Sequence, residues 1–345
     1  MTPIEERHGS LIELKVIDPE KTQSGVTGPR VTRPSLTTPG SRAAVAVKNV
    51  LFATDFSATS NAALPYAVAI CRRFGATLHA AHVLSDASLL LMTGGVDYVS
   101  MSTIYEDAHG EAKGKLDQMS AHLEGIEHRS YIRHGQVWKS LAGIINENQI
   151  DLVVVGTHGR SGLGKLLLGS VAEDILRHSP YPVLTVGPKV SGRAKLPEFP
   201  ASGRDLAPVE LELRHVLFAT DFSQYAVYAA NEAVALAADF RARLTLLHVM
   251  EDYTELGSRP DLMEDSVRRL KSLIPGGAAL QYAPETVLEF GPAADGILKV
   301  ASDREADMIV LGARAAGQGR TTHLPWSTAH HVIAHAHCPV LTLRS

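Results

Sequence analysis

The stretch "NVLFATDFS" at 49–57 returns as "HVLFATDFS" at 215–223, with eight residues identical in register. His82-Val83 meets His248-Val249 at the same offset of 166 residues. Further on, "IDLVVVG" (150–156) matches "ADMIVLG" (306–312) at an offset of 156, and "SPYPVLTV" (179–186) matches "AHCPVLTL" (336–343) at 157. The second copy has therefore lost ten residues in its middle and regained one near its end. A period this long marks duplication of a whole domain rather than a solenoid repeat. A chain of 345 residues has room for both copies as ordinary domains.

Each copy alternates strand-like and helix-like segments. In the first, Val47–Thr54 reads as a buried strand from its continuous apolar content. Asn61–Phe74 follows with Leu64, Ala67, Val68 and Cys71 on one helical face. Pro65 predicts an early kink that its counterpart Asn231 does not. Strands at Thr77–Val83, around His128–Arg133, at Leu152–Val155 and at Val183–Val186 are interleaved with helices at about Ile104–Leu123, from Val137 through Leu141, Ile144 and Ile145, and at Val171–His178. This alternation calls for an α/β fold with a parallel sheet covered on both faces. The chain divides into a tail (1–45), a first domain (46–187), a linker with four prolines (188–212) and a second domain (213–345). Residues 18–44 are rich in Pro, Thr, Ser and Gly with little to bury, and are expected to be disordered; Leu11–Ile17 is read with the tail rather than as an edge strand.

Bulk properties narrow the function classes. A formal charge of −4 gives no reason to expect nucleic acid or an anionic membrane as partner. Cys71 and Cys338 lie far apart and match no redox or metal spacing, so a reduced cytoplasmic setting is expected. "MTPIEERHGS" lacks the apolar region of a secretory signal, and no apolar run is long enough to span a bilayer.

The loop after the fourth strand, within "VVVGTHGRSGLGKLLLGS" (153–170), carries the densest glycine pattern. Gly159–Lys165 spells G-x-x-x-x-G-K, but a P-loop needs Ser or Thr next to hold magnesium, and Leu166 stands there. Further glycines also occupy the place where a P-loop would open its helix. It is not a P-loop.

Taken together, "FATDFS", the strand ending "HV", the pattern Gly156-x-x-Gly159-x9-Gly169-Ser170 and the closing "PVLTV" resemble the universal stress protein family, and the resemblance covers both copies. It implies two tandem open-sheet domains, each a five-stranded parallel sheet of order 3-2-1-4-5 with helices on both faces. Many members bind ATP; others lack the glycine motif and bind none. With that strand order the reversal falls between strands one and four, so Asp55 and Gly156 open onto one crevice. Gly156 and Gly159 permit conformations and close approaches that a Cβ forbids. Gly169, Ser170 and Val171 open the last helix, whose amides and dipole favour an anion, and the Ser170 hydroxyl can donate to a phosphate oxygen. By resemblance, Thr54 and Asp55 serve the ribose or adenine end, Val83 holds the base, and Thr157 begins the phosphate loop. His158, Arg160 and Lys165 could supply positive charge to the β- and γ-phosphates, and the ligand that the resemblance implies is ATP, with room for a divalent ion such as Mg2+.

Plainer roles stand beside these. The glycines can serve a tight turn with Ser170 as a helix N-cap, Ser57 and Ser223 read as N-caps of the first helix, and Asp55 and Asp221 can support that turn. In copy two Gly312 and Ser327 persist, but Ala315 replaces the second glycine and Pro325-Trp326 stands where Leu168-Gly169 stood. Proline has no amide donor and tryptophan is bulky where backbone should meet phosphate, so Asp221, Val249, Gly312 and Ser327 are expected to form a weak or vestigial site. Gly317 and Gly319 leave an alternative loop open. His331 and His335 have the i, i+4 spacing of a helical zinc pair but lack companion ligands, while His82 and His248 are read as packed.

No Ser-His-Asp or Cys-His arrangement stands out, and the Ser-Gly-Gly-x-Asp-Ser loop of adenylating relatives is absent. The expectation is a cytoplasmic regulatory protein that holds ATP in copy one, with copy two mainly structural, and is not an enzyme. A nucleotide-free interaction scaffold and a slow ATP hydrolase are the alternatives. By resemblance, the closing strands "PVLTV" and "PVLTL" pair within the chain as a pseudo-dimer, two chains associate further, and an unidentified protein partner reads the nucleotide state.

Overall fold

A computed structural model describes residues 45–85, 98–120, 123–157, 169–190, 211–251, 261–313 and 325–344. The tail before Val45 and linker residues 191–210 lie outside them. Val45, assigned to the tail by composition, is buried.

Copy one contributes β1 (Asn49–Ala53), β2 (Thr77–Leu84), β3 (His128–His134), β4 (Leu152–Gly156) and β5 (Val183–Val186). Copy two contributes β6 (His215–Ala219), β7 (Arg243–Met250), β8 (Glu285–Phe290), β9 (Met308–Ala313) and β10 (Val340–Arg344). Each copy is parallel throughout and has the expected order 3-2-1-4-5. The two sheets join into one of ten strands, because β5 and β10 pair antiparallel with Leu184 opposite Leu341. Thr185 donates its hydroxyl to the Val340 carbonyl and Thr342 to that of Val183, both at 3.2 Å.

The helices of copy one are α1 (Ala58–Asn61), α2 (Leu64–Phe74), α3 (Tyr98–Ser120), α4 (Val137–Asn148) and α5 (Ser170–His178). Those of copy two are α6 (Gln224–Asp239), α7 (Asp261–Ser272), α8 (Ala293–Asp303) and α9 (Pro325–His335). Alternate strand residues face opposite ways. Val50 and Phe52 enter one apolar layer with α2, α3, α6 and α7. Leu51 and Ala53 enter the other with α4, α5, α8 and α9. The kink expected at Pro65 is a full break: α1 stops at Asn61 and α2 restarts with Pro65 in its first turn, where the missing amide costs nothing. With Asn231 at the matching position, α6 runs uninterrupted.

A buried polar group closes the amino ends of the strands in each copy, with its residues exchanged. In copy one His79 on β2 reaches Asn49 (3.2 Å) and Tyr131 (3.1 Å). In copy two His215 on β6 reaches Thr245 (2.8 Å) and the Arg304 carbonyl (2.7 Å). Burial pushes both imidazoles below the ordinary 6.5. The unfolded chain therefore takes up protons near pH 6.5 that the folded chain refuses, and stability present above that pH is lost as pH falls toward the lowered values. Urea midpoints are expected to decline between about pH 7 and 5.5, less steeply for His215→Asn; a flat profile contradicts the assignment.

Candidate functional site

The site is assembled at the carboxyl edge of β2, β1 and β4. Beyond β1, buried Thr54 accepts at Oγ1 from the Phe56 amide and the Ser60 hydroxyl, both at 2.9 Å. Its carbonyl lies 2.8 Å from His82 Nδ1, which donates to it. Half-buried Asp55 accepts the Ser57 amide at Oδ1 (3.0 Å), and Ser57 Oγ caps α1 by accepting the Ser60 amide (3.1 Å). Copy two repeats the turn: Phe222 donates to Thr220 Oγ1 (2.9 Å), Ser223 to Asp221 Oδ1 (2.9 Å), and His248 Nδ1 sits 2.9 Å from the Thr220 carbonyl. One oxygen of each aspartate thus stitches the backbone in both copies. Burial, opposed by the bond to that carbonyl, holds His248 below the usual histidine range.

The β4 end supplies the second wall. Gly156 needs no left-handed backbone; it is glycine because a Cβ there would come 2.4 Å from the Thr59 carbonyl oxygen and 2.7 Å from Ser60 Cα. Its close approach is to α1. Buried Thr157 donates its amide to Val186 O (3.1 Å), and its carbonyl accepts the amide of Gly169. This bond closes the base of the glycine loop and sets the start of α5 beside the β4 exit. Gly169, not Ser170, is the N-cap, since its carbonyl accepts the Glu173 amide (2.9 Å) and Ser170 is already helical. The amides of Ser170, Val171 and Ala172 are those an α-helix leaves without internal acceptors.

Thr54, Asp55, Gly156 and Thr157 leave neighbouring strands, Ala53 lying opposite Val155. Val83 lies near the end of adjacent β2, half-buried like Val171 on the fringe of one apolar layer that also holds Trp138. His158, Gly159, Arg160 and Lys165 lie outside the described residues, as does the Ser170 side chain. Asp221 lies in the turn after β6, and Val249 and Gly312 stand on β7 and β9, at the opposite edge because the copies run antiparallel. There α9 begins on Pro325, so Ser327 is its third residue where Ser170 is the first of α5; the Ser327 side chain lies outside the described set. At Gly296 a Cβ would come 2.9 Å from a Val249 methyl, so α8 closes on Val249; copy one carries Ser140 at the matching position.

The universal stress protein family model matches residues 46–187 and 212–344. The chain belongs to the universal stress protein family. It is a tandem universal stress protein, with both segments matched. Universal stress protein MJ0577 of Methanocaldococcus jannaschii is 29% identical over 43% of the chain and 99% of its own length. A universal stress protein of Mycolicibacterium smegmatis is 25% identical over 86% of the chain and 96% of its own. The crystal structure of a universal stress protein from Archaeoglobus fulgidus shares the fold, with a TM-score of 0.59, 23% identity and coverage of 86% and 98%.

Residue patterns of this tandem universal stress protein left two features unread. Phe56 and Phe222 occupy left-handed backbone, φ 62° and 58°. Lys115 on α3 and Arg269 on α7 place a cation over those rings. The signal was the identity of Asp-Phe-Ser in both copies, a turn that no propensity assigns to phenylalanine. His331 and His335 stack at 4.2 Å, and His335 Nδ1 is taken by the His331 carbonyl (2.9 Å). Among the described residues no three potential metal ligands lie together. Cys71 and Cys338 are buried, and burial pushes the Cys71 thiol up to about 12, so it supplies no nucleophile. No helix among the described residues is long and apolar enough to cross a membrane.

Gly156→Ala is expected to lower the urea unfolding free energy by roughly 1–3 kcal/mol, because backbone rather than a side-chain tip must give way. Gly143→Ala on α4, where only Glu147 Oε1 comes near, at 3.7 Å, should be neutral or stabilising. Equal midpoints for the two variants would contradict the packing role of Gly156.

Proposed function

We propose that this protein is a cytoplasmic regulatory nucleotide binder that holds ATP in copy one. The observation that carries the reading is the Thr157–Gly169 bond beside the β1–β4 pairing. Together they set the first amides of α5 and the Asp55 carboxylate at the exits of adjacent strands, the switch point where open α/β sheets take their ligands. The helix start suits polyphosphate, since amides and dipole both favour negative charge. Asp55 would repel phosphates and suits ribose hydroxyls or the adenine amine, and Val83 supplies an apolar wall for the base. A divalent ion would ride on the phosphate oxygens, because no carboxylate cluster among the described residues is built to hold one.

Copy two acts as the structural partner. The β5–β10 pairing makes an intrachain pseudo-dimer of two family domains, leaving other surfaces for a second chain or a protein that reads nucleotide state. Binding rather than turnover is the function this reading assigns.

Denaturing the purified protein and identifying released nucleotide tests this directly. Adenine nucleotide, or about one ATP site per chain by calorimetry, is the expected result. Gly169→Trp, which copies Trp326, should abolish it. No release and no heat at high ATP would favour a scaffold; multiple-turnover phosphate release would favour a hydrolase.

A further inference from the structure

We infer that Phe56, clamped between His82 and Lys115, is the positioning residue that aims Asp55 at the nucleoside end of the site. The inference rests on the nucleotide reading and extends it to residues outside the glycine pattern. A phenylalanine at φ 62° is strained where glycine would not be. The same choice recurs at φ 58° in copy two. Each ring is held on two sides. Phe56 lies 4.5 Å from the His82 ring, and Lys115 Nζ sits 5.5 Å over its centroid. Phe222 lies 4.3 Å from His248, with the Arg269 guanidinium 4.0 Å over it. Both cations are within cation–π range.

The stack acts on Asp55 through the backbone. The Phe56 amide is fixed on Thr54 Oγ1, so the clamped ring sets the torsions of one residue. Those torsions aim the next amide, Ser57 N–H, which is the donor that orients Asp55 Oδ1. His82 serves twice, packing on the ring and donating to the Thr54 carbonyl. β2, α3 and the turn thereby converge on one carboxylate. A glycine at 56 would relieve the strain and release the aim.

Calorimetric ATP titration of the full chain provides the test. Absence of ATP binding by the wild type would refute the nucleotide reading itself, a failure distinct from those that follow. With binding present, Phe56→Gly should weaken ATP by about tenfold or more while remaining folded by thermal melt. Phe56→Tyr, which keeps the ring, should stay within about threefold. In an Asp55→Asn background Phe56→Gly should cost less than about twofold, because the aim then has no charge to direct. Phe222→Gly removes the same contacts from copy two and should leave ATP affinity unchanged. Unaltered affinity in folded Phe56→Gly, an undiminished effect in the Asp55→Asn background, or equal losses from Phe56→Gly and Phe222→Gly would each overturn the inference.

Discussion

The antiparallel pairing of β5 with β10 is the contact on which the arrangement of this chain depends. Among the described residues every other pairing of these strands is parallel and lies within a copy, so each copy alone would end on a largely apolar strand with unpaired amides and carbonyls. Such an edge invites pairing with another chain. Here the two exposed edges satisfy each other, and the equivalent hydroxyls of Thr185 and Thr342 add one bond each way across the joint. Gly187, just past β5, lets the chain pass where a Cβ would meet the Ile333 carbonyl oxygen at 2.6 Å. Its counterpart Arg344 instead donates to the Arg177 carbonyl, and burial lowers that guanidinium to about 10. The halves are related by near symmetry, yet each has specialised at its own side of the joint.

Direction follows from the joint. Because the central strands oppose each other, the carboxyl ends of copy one share an edge with the amino ends of copy two. The two crevices therefore open on opposite edges and cannot share one ligand. Whatever couples them must pass through the sheet and the helices flanking the seam.

Much of this was legible in the residues, for reasons that can be named. The repeat indicated two copies of one domain, and apolar runs located most strands to within a residue or two, as at Val183–Val186. Helix boundaries were less readable. Pro65 signalled trouble, but whether it kinks or breaks the helix depends on Ser57 capping a separate four-residue α1. The reason for Gly156 was half right: a close approach is what excludes a side chain, but the neighbour is the α1 backbone rather than a ligand. Ser170 looked like a cap because serine usually is one; the tie from the Gly169 amide to Thr157 moved the cap back by a residue. The left-handed phenylalanines were unreadable because the rings and cations around them come from distant elements, β2 and α3 in copy one and β7 and α7 in copy two.

The two copies also separate what the fold requires from what a ligand would require. The Asp-Phe-Ser turn, its histidine and its cation persist in both, and the bonds described for the turn serve the passage from strand to helix. Retention of Asp221 in copy two is therefore no sign of binding there. Gly169 is different, for it adopts φ −62° and ψ 147°, values open to any residue, and α9 forms on Pro325 without its equivalent. The backbone conformation at 169 does not demand glycine, although glycine is a favoured N-cap, and under the proposed reading its bare backbone leaves room for a ligand to approach. That asymmetry places the weight of the functional assignment on the start of α5 rather than on the more visible aspartate.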